Sequence, residues 1–272
     1  MVVMRASAID LRTRGFTIVE MVVVIGIIML LVGITGGVVR SATLEARAQK
    51  CASNLRQMAM ATESYRNQSR GALPAAVLYE IRNSELVTKA WDFTQTQSGE
   101  IEAGPLWSFT DGTPEVHQCP DHVGDSTFGA DPFTGYNYNT SYLGAEGRYP
   151  FMNGEGKLVQ GWENARLGLP PAAQRRPDRC ALYGDAGWRN GANKFMRAPS
   201  NSVEGDLGMV YAGGQSFRHV GGCCNVVHLD GHCARYTTPC AGTHEPEDLL
   251  TDIMDFPKNG FLSEDDSSYD PR

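Results

Sequence analysis

Residues 14–21 of the chain read Arg14-Gly15-Phe16-Thr17-Ile18-Val19-Glu20-Met21, and an apolar run follows them as far as Val39. The 19 residues from Met21 to Val39 carry no charged side chain. An α-helix of that length extends over about 28 Å, which is close to the hydrocarbon thickness of a bilayer. The segment therefore predicts a transmembrane helix with a single carboxylate, Glu20, at its edge.

A secretory signal peptide or a plain membrane anchor is the alternative interpretation of this segment. A secretory signal has an apolar core of roughly 7–15 residues and a small-residue cleavage site after that core. Here the apolar run is longer, and the small residue Gly15 precedes it, beside Arg12 and Arg14. A carboxylate such as Glu20 is costly in a span and is usually functional. The arginines before the span predict a cytoplasmic N-terminus and a C-terminal body outside the inner membrane.

The basic residue, Gly15, Phe16, Thr17, an apolar pair and Glu20 in front of an apolar helix resemble the prepilin N-terminus of type IV pilins and type II secretion pseudopilins. The resemblance implies that a prepilin peptidase cuts between Gly15 and Phe16 and that the new amine of Phe16 is methylated. It also implies that Glu20 pairs with such an amine, of a neighbouring subunit or of the same one, during assembly. The implied partners are the peptidase, other pilin-like subunits and the inner membrane.

The helical pattern continues beyond the span. Gly71 and Pro74 are expected to end it. The domain organisation predicted is a leader at 1–15, a transmembrane and amphipathic helix at 16–70, and an exoplasmic globular domain at 71–272 with an acidic tail. Apolar or small residues recur at alternating steps of four and three, which is typical of one face of an amphipathic helix: Leu44, Ala48, Cys51, Leu55, Met58, Thr62 and Tyr65.

Residues beyond 74 are rich in turn-forming side chains, and their apolar runs are short. Candidate strands are 181–183, 225–229 and 233–236, each bounded by turn residues. Few regular elements are expected between about 99 and 180, where 136–139 indicates loop or edge-strand material. The predicted fold class is α+β. The resemblance makes it pilin-like, with the long N-terminal helix packed on a small antiparallel sheet that carries long loops.

The charge of the chain bounds its partners. The formal net charge is −7, and an acidic body without a basic patch argues against nucleic acid. The segment from Glu245 to Asp270 is strongly acidic. Such a run is most often a solvated tail, so we assign it no chemistry.

A second resemblance covers roughly residues 12–236 and ends in the segment from His219 to Gly231. The chain is similar to a group of prepilin-type proteins, abundant in planctomycetes, that end in a His, nine residues and an Asp-Gly. The motifs that carry the resemblance occur in the order 51–57, 119–121, 141–144, 182–187 and 217–222, followed by Leu229-Asp230-Gly231-His232. Here ten residues separate His219 from Asp230. Asp230-Gly231 between apolar runs is a common hairpin signal, which favours a simple turn. The alternative is a His/Asp ligand set that includes His228 or His232. No spacing matches a known metal signature, so no metal or cofactor is assigned.

The sequence does not indicate an enzyme. It contains no nucleophile elbow, no Gly-rich phosphate loop and no HExxH motif. A nucleophilic cysteine would need a base and an orienting group, and the sequence identifies neither. No catalytic residue is assigned.

The chain has seven cysteines, and all follow the predicted span. In an oxidising compartment they should mostly pair, although the odd number leaves at least one thiol free or intermolecular. Cys51 and Cys119 are candidates for a disulfide, because Cys51 lies on the inward stripe of the helix and Cys119 lies in an irregular segment. The alternative is that both are buried free thiols.

These patterns lead to two functional hypotheses. The first is a pilin-like subunit of a type II secretion pseudopilus or a type IV pilus-like fibre, which acts by assembly through its N-terminal helix. The second is a membrane-anchored envelope or surface protein that binds a ligand through its loops without forming a fibre. Only the first requires Glu20.

Overall fold

The computed structural model of the protein describes residues 15–99, 101–110, 114–126, 133, 135–189, 191–201, 203–204, 209–210 and 213–272. Residues 1–14 of the predicted leader lie outside this described part. The chain divides into two compact units, Met1–Thr43 and Leu44–Arg272. Its described elements are one long α-helix and several mainly antiparallel sheets, so the fold class is α+β as predicted.

Helix α1 spans Ile18–Gln68 and contains 51 residues. Its part within the first unit is apolar, and its large side chains are exposed. By length and composition the helix is able to cross a membrane as a single span. The helix begins with a capping box, because the Glu20 N–H donates to the Thr17 hydroxyl oxygen over 3.2 Å and the Thr17 N–H donates to the Glu20 carboxylate over 2.8 Å. The Thr17 hydroxyl also donates to that carboxylate over 2.8 Å.

Within the second unit, α1 buries the face that the sequence pattern predicts. Cys51, Leu55, Met58 and Thr62 are buried there. The chain then leaves the helix at Gly71, which has φ of 85° and donates a 2.8 Å hydrogen bond to the Arg66 carbonyl oxygen. A left-handed glycine just past the last turn is a common helix terminator, as expected.

Seventeen strands follow the helix in the described part of the chain. They are β1 (Val77–Arg82), β2 (Glu85–Ala90), β3 (Phe93–Thr96), β4 (Ile101–Ala103), β5 (Asp125–Ser126), β6 (Tyr136–Asn139), β7 (Phe151–Met152), β8 (Leu158–Val159), β9 (Ala181–Gly187), β10 (Gly191–Ala192), β11 (Phe195–Met196), β12 (Val203–Glu204), β13 (Met209–Val210), β14 (Gly214–Ser216), β15 (Cys224–His228), β16 (Cys233–Tyr236) and β17 (Asn259–Gly260).

Short helical turns connect these strands. Among the described residues, six are 3₁₀ turns and one is a π-helical turn, Leu249–Ile253. The 3₁₀ turns are Trp107–Phe109, Pro114–His117, Gly161–Asn164, Pro171–Ala173, Pro199–Asn201 and Asp266–Ser268.

Strand β9 lies at the centre of the largest sheet. Along one edge it pairs antiparallel with β6, which in turn pairs parallel with β11. Along the other edge its first half pairs with β15 and its last residues pair with β14. The hairpin β15–β16 and the strand β17 complete the sheet. The strand that pairs with this edge of β9 therefore changes from β15 to β14 at Asp185.

Each face of this central sheet carries a hydrophobic core. On one face, α1 packs on the sheet through Leu55 and Met58 against Tyr138 and Tyr183. The opposite core contains Val226, Phe261 and Tyr269 among others. Neighbouring residues of one strand point to opposite faces, as Val226 and Val227 of β15 do.

A separate four-stranded meander, β1-β2-β3-β4, precedes the central sheet and was not predicted from the sequence. Its first turn contains Asn83 and Ser84, both with positive φ, as a two-residue hairpin turn requires. Trp91 and Phe93 anchor the meander because both side chains are fully buried.

Two predictions about the body were wrong. Residues 136–139 are not loop or edge material, because β6 is fully buried between β9 and β11. The acidic C-terminal segment is not a solvated tail, because Phe261 and Tyr269 are fully buried and β17 joins the central sheet. Glu264 and Asp265 of this segment are exposed while the rings of Phe261 and Tyr269 enter the core.

Candidate functional site

Four chemically active side chains from four distant segments meet inside the second unit. They are Cys51 of α1, Cys119, Asp185 of β9 and His219, which we call the four-residue cluster. Their ligand atoms, two sulfurs, one imidazole nitrogen and one carboxylate oxygen, all lie within 4.8 Å of one another. All four residues are buried.

Asp185 owes its position to the change of partner along β9. Strand β15 pairs with β9 at Gly184, and β14 pairs with it from Ala186. The N–H of Asn225 would otherwise lack a ladder partner at this point, and it donates to Asp185 Oδ2 over 2.7 Å. The carboxylate is thereby fixed below the helix, where its Oδ1 lies 3.0 Å from the sulfur of Cys51.

Cys119 is held against the helix by its preceding turn. Asn54 of α1 donates two 3.2 Å hydrogen bonds to the carbonyl oxygens of Glu115 and Gln118. The sulfur of Cys119 then lies 3.9 Å from Nε2 of His219. Cys119 and Cys51 thus approach the cluster from two segments that one buried amide joins.

His219 stands at the start of a tight turn. Its N–H donates to the Cys223 carbonyl oxygen over 3.0 Å, and its own carbonyl accepts from Gly222 over the same distance. Gly221 and Gly222 have φ of 83° and 66°, a conformation that favours glycine. The sequence Gly-Gly after His219 is therefore what lets the histidine face the cluster.

The imidazole ring of His219 is oriented by two carboxylates. Its Nδ1 lies 2.8 Å from Asp121 Oδ2, and its Nε2 lies 3.0 Å from Asp185 Oδ2. Asp121 is two residues after Cys119, so the segment Cys119-Pro120-Asp121 contributes both a cluster member and the group that orients another.

Contacts within the cluster shift the pKa values of its members. Burial by itself favours the neutral ring, but the hydrogen bonds of Asp185 and Cys119 outweigh it and raise the pKa of His219 to about 11. For Asp185, burial alone would raise the pKa, yet the hydrogen bond and charge of His219 and the charge of Arg218 hold that pKa below its usual value. The hydrogen bond from Cys51 lowers the pKa of the Cys119 thiol to about 7.

Arg218 supplies a second cation at the edge of the cluster. Its guanidinium donates to the carbonyl oxygens of Gly135 and Ala186 over 2.9 and 2.7 Å and lies 3.9 Å from Asp185 Oδ1. The Asp185 carboxylate therefore faces positive charge on two sides.

Cys119, His219 and Asp121 follow the order of a nucleophile, a base and an orienting acid. Two observations argue against nucleophilic catalysis here. Cys119 is only 1% exposed, and Nε2 of His219 lies closer to Asp185 than to the sulfur. A base that already faces a carboxylate is not directed at the thiol.

The structure does not unite the predicted C-terminal motif. His219 precedes β15, whereas Asp230 and Gly231 follow it, and five strand residues extend over about 17 Å. Asp230 bonds to His232 instead, with 2.7 Å between its Oδ1 and Nδ1 of the ring. Gly231 has φ of 89° in the turn between β15 and β16, so the turn interpretation is confirmed. His228 and His232 stack on each other at 4.3 Å and lie beside Asp230, not His219.

The structure does bring the two disulfide candidates together. The sulfurs of Cys51 and Cys119 lie within 4.8 Å of each other, and both residues are free thiols. The disulfide itself stays a prediction. At the N-terminus, Gly15 and Phe16 precede the helix, and Glu20 lies in its first turn.

Sequence reasoning missed the cluster because its members are separated by 68, 66 and 34 positions, which no local motif spans. The sequence did pair Cys51 with Cys119 as disulfide candidates and singled out His219, but it gave no sign that Asp185 joins them. A local signal was Cys119-Pro120-Asp121, a thiol and a carboxylate held two residues apart by a proline. Comparison of the chain with family models, curated proteins and solved structures gives no match.

Proposed function

We propose that this chain is a pilin-like subunit, anchored in the inner membrane by a single span, that acts by assembling through its N-terminal helix. The observation that carries the proposal is the order Gly15, Phe16, Thr17, two apolar residues and Glu20 directly before an exposed apolar helix. The role is structural, with assembly in place of catalysis.

The proposed mechanism depends on one charge. Cleavage after Gly15 by a prepilin peptidase leaves Phe16 as the N-terminal residue, with a methylated amine. The Glu20 carboxylate is costly in lipid unless it is paired. Pairing it with the amine of a neighbouring subunit removes that cost and sets the register between the two helices.

The proposed topology follows from the same segment. The N-terminus is cytoplasmic, and the unit Leu44–Arg272 lies in the periplasm or in an extracytoplasmic fibre. The fibre is a type II secretion pseudopilus or a type IV pilus-like fibre. One face of α1 between Ala48 and Thr62 is buried in this unit. This burial supports the proposed topology, since each assembling helix would carry its own folded body.

The capping box allows a sharp test, because Glu20 has two separable properties. Glu20→Gln keeps an acceptor for the Thr17 donors but removes the charge, whereas Thr17→Val removes the hydroxyl of the cap and keeps the charge. Chemical crosslinking in membranes of cells that contain the prepilin peptidase would be compared for both variants. We expect oligomers for Thr17→Val and for the unsubstituted chain, and monomers for Glu20→Gln.

Equal crosslinking of Glu20→Gln and Thr17→Val would contradict assembly through the charge. It would favour the ligand-binding anchored protein instead. The processed mass of each variant provides the control, because both must first lose residues 1–15.

A further inference from the structure

We propose that Cys51, Cys119, Asp185 and His219 bind a single Zn²⁺ ion in a closed structural site. The proposal is independent of the assembly function, because it rests on the four-residue cluster and not on the N-terminal segment. It assigns to the body of the protein a metal that ties the helix to the sheet.

The donor set selects the class of metal. Two thiolates, one imidazole nitrogen and one carboxylate oxygen suit a borderline-soft ion, and Zn²⁺ is bound by these three ligand types with tetrahedral geometry. Mg²⁺ and Ca²⁺ prefer sites made of oxygen atoms. Four protein ligands without an open position are typical of structural sites.

The spacing of the ligand atoms fits one ion. Metal–ligand bonds of tetrahedral zinc imply separations of about 3.4–3.8 Å between neighbouring ligand atoms. The Cys119 sulfur lies 3.9 Å from His219 Nε2. Asp185 Oδ2 lies 3.0 Å from that Nε2, and Asp185 Oδ1 lies 3.0 Å from the Cys51 sulfur. Since all four ligand atoms lie within 4.8 Å of one another, shifts of about 1 Å in these separations bring them to tetrahedral distances.

The surroundings supply the outer groups that zinc ligands require. A zinc-bound histidine characteristically donates its other ring N–H to a carboxylate. Asp121 lies 2.8 Å from Nδ1 of His219 and leaves Nε2 facing the cluster. Asp185 is likewise held by the Asn225 N–H over 2.7 Å. Both ligands are thus oriented before any metal arrives.

Charge balance points the same way. Two thiolates and the Asp185 carboxylate would be costly to bury together, and a dication offsets most of their charge. The guanidinium of Arg218, 3.9 Å from Asp185, offsets the negative charge that remains. A surface cavity of about 630 Å³ is lined by Asp121 and Arg218, the residues that contact His219 and Asp185 of the cluster.

The first experiment uses the full-length protein in detergent, purified without chelators. Elemental analysis is expected to find about one zinc per chain. Replacement by Co²⁺ is expected to give the ultraviolet thiolate-to-metal band and the visible bands of a tetrahedral site. Zinc well below one per chain after incubation with ZnCl₂, or a cobalt spectrum without a thiolate band, would overturn the proposal.

The variants locate the site. Cys119→Ser is expected to lose the metal, whereas Cys180→Ala, which changes another fully buried cysteine outside the cluster, should keep it. Asp121→Asn leaves all four ligands in place and is expected to weaken zinc binding roughly 10- to 100-fold in chelator competition. Asp121 is half-buried and binds no metal itself. This variant therefore tests zinc binding at His219 even if Cys119→Ser fails to fold.

Two results would refute the zinc site outright. One is non-reducing peptide mapping that finds Cys51 bridged to Cys119 in the native protein. The other is zinc that binds Asp121→Asn and the unsubstituted chain with equal affinity.

Discussion

The carboxylate of Asp121 lies 2.8 Å from Nδ1 of His219, 98 positions away in the sequence. This contact fixes the ring so that Nε2 faces Asp185, Cys51 and Cys119. It also joins the irregular segment around Cys119 to the turn before β15. A single side-chain contact therefore orients the one histidine of the cluster and links two loops of the body.

The small residue before the proposed cleavage site should control processing. Gly15→Val is expected to leave the protein at full length, because a branched side chain would obstruct a peptidase groove that accepts glycine. Intact-mass analysis of the membrane form measures this. Gly26→Ala, in the apolar part of the same helix, is the control and should be processed normally. Residues 1–15 still attached to the unsubstituted protein would disprove prepilin processing.

The buried stripe of α1 should carry much of the stability of the body. Met58 is 0% exposed and packs in the core, whereas Met60 on the opposite face is 62% exposed. Met58→Ala is expected to lower the free energy of unfolding by about 2–5 kcal/mol, and Met60→Ala by less than about 0.5 kcal/mol. Urea unfolding of the full chain in detergent, followed by tryptophan fluorescence, measures both. Similar losses would mean that the helix does not pack as described.

The ion pair between Lys194 and Asp92 is almost fully buried. Lys194→Met would remove the Lys194 cation from the buried Asp92 carboxylate and is expected to lower the free energy of unfolding by about 3–5 kcal/mol. The exposed pair of Lys258 and Asp255 is the matched control. Lys258→Met should lower the free energy of unfolding by less than about 1 kcal/mol. Urea unfolding of the two variants measures the difference. Equal losses of unfolding free energy for Lys194→Met and Lys258→Met would show that burial of the Lys194–Asp92 pair does not matter.

The buried His117 should make the body sensitive to acid. Burial, together with the charge of Lys194, lowers the pKa of His117 from 6.5 to about 4. Between these pH values the unfolded chain binds the proton and the folded chain does not, so stability falls as the pH falls from 6.5 to 4. The difference amounts to about 3 kcal/mol once both states are protonated.

His117→Gln isolates this contribution. Its unfolding free energy should change less between pH 6.5 and 4 than that of the unsubstituted chain. The exposed His244→Gln is the control and should leave the profile unchanged. Identical profiles for the unsubstituted protein and His117→Gln would show that the ring is protonated without cost.

The sequence by itself determined the long helix, the buried stripe on its outer half, its end near Gly71, and the hairpin turn at Asp230-Gly231. Each is a local property, because helical periodicity, a terminating glycine and a short hairpin turn depend on neighbours within a few positions. The tertiary structure alone decided the burial of β6, the entry of Tyr269 into the core, and the cluster of Cys51, Cys119, Asp185 and His219. Those features depend on which distant strands pair with β9, and a change of strand partner at Asp185 leaves no mark in the local pattern of residues.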